Sequence, residues 1–307
     1  MPGPWDSRRS ISWRARLLRA ALRFEKRLVG KNRRPMPKAR ARLALLDPFV
    51  PGRRKYTQWT EVDAGGVPGL LTAVAQSRAD RCVLYFHGGG YCIGTATLYR
   101  DFLWRIAAAA GAQVLYFDYR LAPEHPFPAA LDDAIAAYRW LAGRFDPRHI
   151  AFAGDSAGGG LLLATMLRLR DQGTPLPCAA AALSPWTDLT LTGHSMRANA
   201  AADPMLDPDN MPDLVRNYCA GADPHNPFIS PIYADPAGLP PTLIQAGIDE
   251  VLRDDAVRMA DKMRAAGCEV ALELWEKMPH VWHLYARVVP EARRAVARIG
   301  EFLQARM

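Results

Sequence analysis

The chain has 307 residues, half of them apolar, which is enough for one large domain with a sizeable core. Its net charge of +8 comes from the start, because residues 1–56 carry 17 Lys and Arg against 3 Asp and Glu and the remainder is net acidic. No apolar run approaches the roughly 18 residues of a transmembrane helix, and no nucleic-acid-binding motif occurs, so we expect neither of those functions.

The basic segment contains a predicted amphipathic helix. Its apolar residues recur at helical spacing in two series, Leu17, Ala21, Phe24 and Leu28, and Ile11, Leu18, Leu22 and Val29. One interpretation is a helix that makes peripheral contact with an anionic surface, such as a membrane. The other, which we favour, is a lid helix packed on the domain with its basic face in solvent. Arginines interrupt the apolar positions, so no signal peptide is expected.

After residue 56 the pattern becomes an alternation of strands and helices. Predicted strands lie at 56–62, 70–74, 83–90, 114–120, 149–156, 178–186, 242–250 and 270–275. Predicted helices lie at about 98–110, 128–143, 157–171, 252–266 and 290–305. Apolar runs that alternate with helices predict an α/β fold with a mainly parallel sheet covered on both faces. Two segments, about 1–50 and 187–240, do not fit and are predicted to form a cap, the second with a helix near 208–219.

The sequence GDSAG at 154–158 matches the G-x-S-x-G pattern between a predicted strand and a predicted helix. A serine at such a sharp turn has an exposed hydroxyl, and the small residues Gly154, Ala157 and Gly158 let strand and helix approach. Ser156 could instead be a helix N-cap, but an N-cap does not need glycine on both sides. We therefore predict that Ser156 is a nucleophile.

The sequence HGGG at 87–90 follows another predicted strand. Acyl transfer places negative charge on a carbonyl oxygen, and each backbone N–H aimed at that oxygen contributes about 3 kcal/mol. We predict that Gly88 and Gly89 supply two such donors and Ala157 a third, although a flexible turn is the alternative. His87 is predicted to be structural.

A general base for Ser156 is predicted after the last strand, where MPHVWH at 278–283 offers His280 and His283. Imidazole suits the role because its ordinary pKa of about 6.5 leaves it mostly neutral at pH 7. A serine at 156, an acid near 250 and a histidine at 280 follow the chain order Ser, acid, His that is typical of this architecture.

These motifs together resemble the bacterial hormone-sensitive lipase family of α/β-hydrolases, in its GDSAG branch. The resemblance is carried by HGGGYCIGT (87–95), DYRLAPEHPFPAALDD (118–133), GDSAGGG (154–160), DEVLRDD (249–255) and MPHVWH (278–283). It implies a single α/β-hydrolase domain over 1–307. The core then comprises about 56–186 and 241–307, and the helical cap about 1–50 and 187–240. It also implies carboxylesterase activity on short or medium acyl chains, with neither cofactor nor metal.

Four acids follow the predicted strand at 242–250, and one of them is expected to orient the histidine. Asp254 and Asp255 begin a predicted helix, where acids complement the helix dipole. Relatives carry D-P-L-R-D-E here, and alignment without a gap on the shared Leu-Arg-Asp places their catalytic Asp on Glu250. A one-residue gap would select Asp249. We therefore hypothesise Ser156, Glu250 and His280 as the triad, with Asp249 as the alternative acid.

The expected function is a serine carboxylesterase that acts on a small-molecule ester through an acyl-enzyme. Alternatives are an amidase, arylformamidase or lactonase with the same triad, or a non-catalytic ligand-binding receptor of the same fold. The resemblance also allows a homodimer formed through an edge strand. Five widely spaced cysteines without a CxxC pair indicate neither a zinc site nor a disulfide framework, and a cytoplasmic location is expected.

Overall fold

The centre of the molecule is one eight-stranded sheet, seen in a computed structural model that describes residues 11–29 and 57–307. The strands are β1 (Gln58–Asp63), β2 (Pro68–Ala73), β3 (Arg78–Phe86), β4 (Ala112–Phe117), β5 (Ile150–Asp155), β6 (Ala179–Leu183), β7 (Thr242–Gly247) and β8 (Val270–Trp275). Their order is β1-β2-β4-β3-β5-β6-β7-β8. Strands β3 to β8 pair in parallel, while β2 is antiparallel to both β1 and β4. The predicted mainly parallel sheet is confirmed.

Helices cover both faces of the sheet, because its central strands bury side chains in both directions. The described helices are α1 (Trp13–Val29), α2 (Ala96–Ala110), α3 (Ala129–Ala142), α4 (Ala157–Asp171), α5 (Ser195–Ala198), α6 (Met211–Cys219), α7 (Arg253–Ala265) and α8 (Pro290–Gln304). Along β3, Leu84 and Phe86 join the apolar cluster that includes α3, α4 and α7. Val83 and Tyr85 join the cluster of α2 and α8 on the other face.

The basic segment contributes α1, as predicted. Its buried side includes Ala15 and Leu22, and Ile11 and Leu18 pack against the cluster that contains α8. The other predicted series faces outward, with Leu17, Phe24 and Leu28 each more than half exposed. Helix α1 therefore packs on the domain through only one of its two apolar series. The remaining parts of the predicted cap segment at the N-terminus, 1–10 and 30–50, lie outside the described residues.

The second predicted cap segment, 187–240, connects β6 to β7 and contains the short helices α5 and α6. The helix expected near 208–219 is α6, preceded by a 3₁₀ turn at Pro208–Asn210. None of the described helices combines the length and the apolar character needed to cross a membrane.

Candidate active site

Ser156 lies at the sharp turn between β5 and α4. Its backbone has φ 54° and ψ −123°, a strained conformation for a residue with a side chain. The turn is tight because α4 approaches β3 closely: a Cβ on Gly158 would collide with the carbonyl oxygen of Phe86. The Ser156 side chain makes no capping hydrogen bond to α4, so the N-cap alternative is not supported. Backbone strain at this position is typical of a nucleophilic serine whose hydroxyl is exposed at a strand-to-helix turn.

His280 follows β8 and reaches the serine. Its Nε2 lies 2.9 Å from Ser156 Oγ, and its Nδ1 lies 2.8 Å from Glu250 Oε2. The ring is almost completely buried. Burial disfavours the imidazolium, but the hydrogen bond and charge of Glu250 outweigh burial and raise the pKa of His280 above its ordinary value. This geometry suits an imidazole that accepts the serine proton and is stabilised as a cation.

Glu250, in the turn after β7, is completely buried and has partners on both oxygens. Oε2 faces His280, while Oε1 accepts hydrogen bonds from Ser184 Oγ at 2.8 Å and from the Gly247 N–H at 2.5 Å. The Asp249 side chain takes a different direction and forms an ion pair with Arg19 at 2.7 Å. Of the two adjacent acids, the structure therefore places Glu250, and not Asp249, against the histidine.

The second histidine of the motif, His283, bonds to Gln245 and not to the serine. Its Nε2 lies 2.9 Å from Gln245 Oε1, and its ring is completely buried. Burial lowers the pKa of His283 to about 3, with a smaller contribution from His280. A ring held neutral in this position is structural.

Asp254 and Asp255 lie in the first turn of α7, as predicted, but they also hold the 187–240 segment. Asp254 accepts the N–H of Ser195 at 2.8 Å. Asp255 accepts the N–H groups of Thr187 and Asp188, each at 2.8 Å. Burial, followed by the charge of Asp188, raises the pKa of Asp255 to about 7. Within residues 11–29 and 57–307, no group of three His, Cys, Asp or Glu side chains could hold a metal ion.

The hydrogen bonds of the HGGG loop disagree with one expected oxyanion donor, the N–H of Gly88. The N–H of Gly88 donates to the hydroxyl oxygen of Tyr99 at 2.9 Å and to Asp155 Oδ1 at 3.1 Å, and a Cβ on Gly88 would collide with that carboxylate. This N–H is therefore occupied within the core, which contradicts its predicted role. The N–H groups of Gly89, Gly90 and Ala157 find no acceptor among the described residues.

His87 supports this loop, in line with its predicted structural role. Its ring stacks on Tyr119 with centroids 4.0 Å apart, and its Nδ1 lies 2.8 Å from the Gly88 carbonyl oxygen. Burial lowers the pKa of His87 to about 4, so the ring is neutral at pH 7. The Tyr119 hydroxyl donates to the carbonyl of His87, which links the loop to the DYRLAP stretch.

Sequence reasoning missed three residues that contact the serine loop, the acid or its neighbour. Asp155 lies inside the GDSAG motif, next to the serine, and accepts hydrogen bonds from Tyr85 at 2.7 Å and Tyr99 at 3.0 Å. Burial raises its pKa to about 6. Ser184 supports Glu250, and Arg19 reaches Asp249 from α1. Only Asp155 had a signal in the sequence, because it belongs to the motif; the other two contacts join distant segments.

Comparisons with known proteins identify the family to which this fold belongs. The α/β-hydrolase fold family matches residues 83–284. An acetyl-hydrolase from Streptomyces hygroscopicus is 46% identical over 266 residues, which is 83% of this chain and 89% of that protein. An esterase from Acinetobacter venetianus is 36% identical over 74% of this chain and 76% of its own. A crystal structure of an esterase from the bacterial hormone-sensitive lipase family superposes with a TM-score of 0.91 at 41% identity, covering 97% of this chain and 99% of that one.

The fold, the serine turn and these relatives lead to the same conclusion. Identity above 35% over most of the chain, together with the matching sheet, is well beyond a likeness of fold alone. The chain therefore belongs to the bacterial hormone-sensitive lipase family of α/β-hydrolases and is a serine carboxylesterase.

Proposed function

We propose that Ser156, His280 and Glu250 carry out ester hydrolysis as a catalytic triad. The observation that carries the proposal is the unbroken chain of hydrogen bonds from Ser156 Oγ through His280 to the buried carboxylate of Glu250. Ser156 attacks the ester carbonyl carbon while His280 Nε2 takes the hydroxyl proton. His280 then gives this proton to the leaving alcohol, and a water molecule repeats both steps on the acyl-enzyme to release the acid.

The N–H groups of Gly89, Gly90 and Ala157 are proposed to receive the oxyanion. Gly89 and Ala157 are retained from the sequence-based assignment, while Gly90 replaces Gly88. The support is that Gly88 is engaged by Asp155, whereas the other three N–H groups have no acceptor among the described residues. Donors that have no other acceptor can bind the charge that develops in the transition state, and they stabilise that charge without reorganisation.

The acyl group is proposed to be short, because bulky side chains fill the space next to the serine turn. Tyr91 stacks on Tyr218 with ring centroids 3.7 Å apart, and the backbone N–H of Trp186 donates to the Ser156 carbonyl at 2.9 Å, which places Trp186 beside the turn. All three aromatic side chains are almost fully buried, and Leu214 packs on Gly90. The name acetyl-hydrolase, borne by two relatives, agrees with a small acyl group.

A chain-length series tests the acyl preference. We expect kcat/KM for p-nitrophenyl esters to be highest with acetate or butyrate and to fall towards laurate. Leu214→Ala and Tyr218→Ala should move the optimum towards longer chains, since each removes a bulky side chain near the site. A preference of the natural protein for laurate over acetate contradicts the proposed short acyl group.

The nucleophile is tested by a fluorophosphonate probe. One probe per molecule should label the natural protein, and none should label Ser156→Ala. Hydrolysis of p-nitrophenyl acetate that persists in this variant would refute the triad. Ester and amide substrates with the same acyl group separate an esterase from an amidase, arylformamidase or lactonase, while absence of any turnover would point to a ligand-binding receptor.

Within the described residues, α1 and the 187–240 segment are proposed to form the cap. Helix α1 is also proposed to make peripheral contact with an anionic lipid surface. Trp13, Leu17 and Phe24 form an exposed apolar series, and Arg23 and Arg27 flank it. Such a face suits a negatively charged headgroup layer. Vesicles of phosphatidylcholine with phosphatidylglycerol should retain the protein better than phosphatidylcholine alone, and Leu17→Glu with Phe24→Glu should abolish the difference. Equal retention on both vesicles contradicts the contact.

Two further expectations remain proposals. The five cysteines are widely spaced and include no CxxC pair, which supports a reducing compartment such as the cytoplasm. The half-buried β8 is one of the two edge strands of the described sheet, which supports a homodimer through this edge. Light scattering on the purified protein tests the dimer, and a molar mass of one chain contradicts it.

A further inference from the structure

Arg19 on α1 is a buried arginine whose guanidinium faces the catalytic loops. Its side chain is about one-tenth exposed. Nη1 donates to the carbonyl oxygen of Lys277 at 2.8 Å, and Nη2 donates to Asp249 Oδ2 at 2.7 Å. An arginine is rarely buried without charged or polar partners, and both partners here belong to other segments of the chain.

The two acceptors lie in the two loops that carry the acid and the base. Asp249 directly precedes Glu250 after β7, and Lys277 lies three residues before His280 after β8. A guanidinium is planar, so two bonds from its two terminal nitrogens fix the separation of the groups that accept them. A single side chain from α1 therefore holds the acid loop and the histidine loop at one spacing.

The other cap segment joins the same network. Lys26, two turns further along α1, donates to the carbonyl oxygens of Ala200 and Asp203 at 3.0 Å each. The Asp203 carboxylate in turn accepts the N–H of Val251, and the Asn199 amide donates to the carbonyl of Glu250 at 2.8 Å. The acid loop is thus held on one side by α1 and on the other by the 187–240 segment.

We propose that Arg19 is a positioning residue that couples the docking of α1 to the geometry of the triad, by holding the Asp249 and Lys277 loops together. When α1 is seated, Glu250 and His280 are aligned for proton transfer. When α1 leaves, both loops lose this restraint. The inference rests on the proposed catalytic roles of Glu250 and His280. It gives Asp249, the acid that does not face His280, a definite part in the enzyme.

The test compares Arg19→Met, Arg19→Lys and Asp249→Ala with Arg16→Met, a matched control at an exposed position of the same helix. Rates with p-nitrophenyl acetate are divided by the concentration of sites titrated with a fluorophosphonate. We expect Arg19→Met to lower kcat about a hundredfold, because a displacement of about 1 Å can cost that much, with KM nearly unchanged. Arg19→Lys keeps the charge but reaches only one acceptor, so its kcat should be intermediate. Arg16→Met should match the natural protein.

The pH profile separates positioning from folding. Glu250 supplies the two largest interactions that raise the pKa of His280, and the charges of Asp203 and Asp155 raise this pKa less. A displaced Glu250 should move the acid limb of kcat/KM in Arg19→Met to lower pH. A merely structural loss would reduce the titrated sites and leave both the limb and the kcat per site unchanged, which overturns the proposal.

Two comparisons keep the outcome decisive. If Arg19→Met does not fold, Asp249→Ala, which removes a partly exposed side chain and its acceptor, should still lower kcat per site, and a value equal to the natural protein overturns the proposal. Glu250→Gln is measured alongside. Activity retained in Glu250→Gln means that the triad assignment fails; a full loss there with natural kcat in Arg19→Met means that only the positioning role fails.

Discussion

Replacing Glu250 by glutamine should abolish most of the esterase activity while leaving the fold intact. In the natural protein Oε1 accepts two hydrogen bonds, one from the Gly247 N–H and one from Ser184, and Oε2 faces His280 Nδ1. The amide oxygen of glutamine must take the Oε1 position, because the Gly247 N–H can only donate. The amide NH₂ then faces Nδ1 and requires it to accept. His280 must therefore carry its proton on Nε2, where it can no longer take the proton of Ser156.

The size of the effect follows from this tautomer change. A comparable exchange of the orienting carboxylate for an amide in a serine protease costs about 10⁴-fold in kcat, or about 5.4 kcal/mol of transition-state stabilisation. We expect a loss of this order in kcat for p-nitrophenyl acetate, with an unchanged circular dichroism spectrum. Asp249→Asn should lose far less, because Asp249 contacts Arg19 and not the imidazole. The assignment is refuted if Glu250→Gln keeps more than a tenth of the natural kcat, or if Asp249→Asn is the more damaging change.

Three further outcomes test the site and its supports. Because His280 must be neutral to act as a base and its pKa is raised, the acid limb of kcat/KM should have its midpoint above pH 6.5, and a lower midpoint in a pH titration contradicts the hydrogen-bonded pair. Gly88→Ala places a methyl group against the Asp155 carboxylate and should cost about 1–3 kcal/mol in a denaturant titration, whereas Gly143→Ala meets only ordinary contacts and should cost little. Burial raises the pKa of Asp255 to about 7, so its neutral form stabilises the fold at acidic pH and this stabilisation is lost as the pH rises through about 7. Asp255→Asn should therefore have a higher melting temperature than the natural protein at pH 8, and the difference should shrink at pH 5. An equal difference in melting temperature at both pH values contradicts this reasoning.

The sheet was predictable because local sequence carries its signal. Apolar runs of strand length, separated by helical patterns, are decided by burial on both faces of each strand. The eight predicted strands all occur, with ends shifted by a few residues, as at β7, which ends at Gly247 where the predicted strand ran to 250. Such ends depend on where the ladder partner stops, which the strand's own sequence does not state.

The direction of a backbone N–H was not predictable. The glycines of HGGG allow several backbone conformations, so their sequence does not tell which N–H turns into the core. The structure turns Gly88 inward, because the Asp155 carboxylate, buried beside the serine turn, needs donors. The hydrogen-bonding need of a buried carboxylate on another strand therefore decided that the Gly88 N–H turns into the core.

By itself, the sequence determined the order of strands and helices and the serine at a tight turn between a strand and a helix. It also determined two candidates for the base and two for the acid. These depend on residue type and spacing, which the chain states directly. Only the tertiary structure decided that Glu250 and not Asp249 faces His280, and that Arg19 holds the loops behind them. Both choices depend on contacts between segments more than 25 residues apart, and such contacts exist only once the sheet has brought the ends of β7 and β8 beside α1.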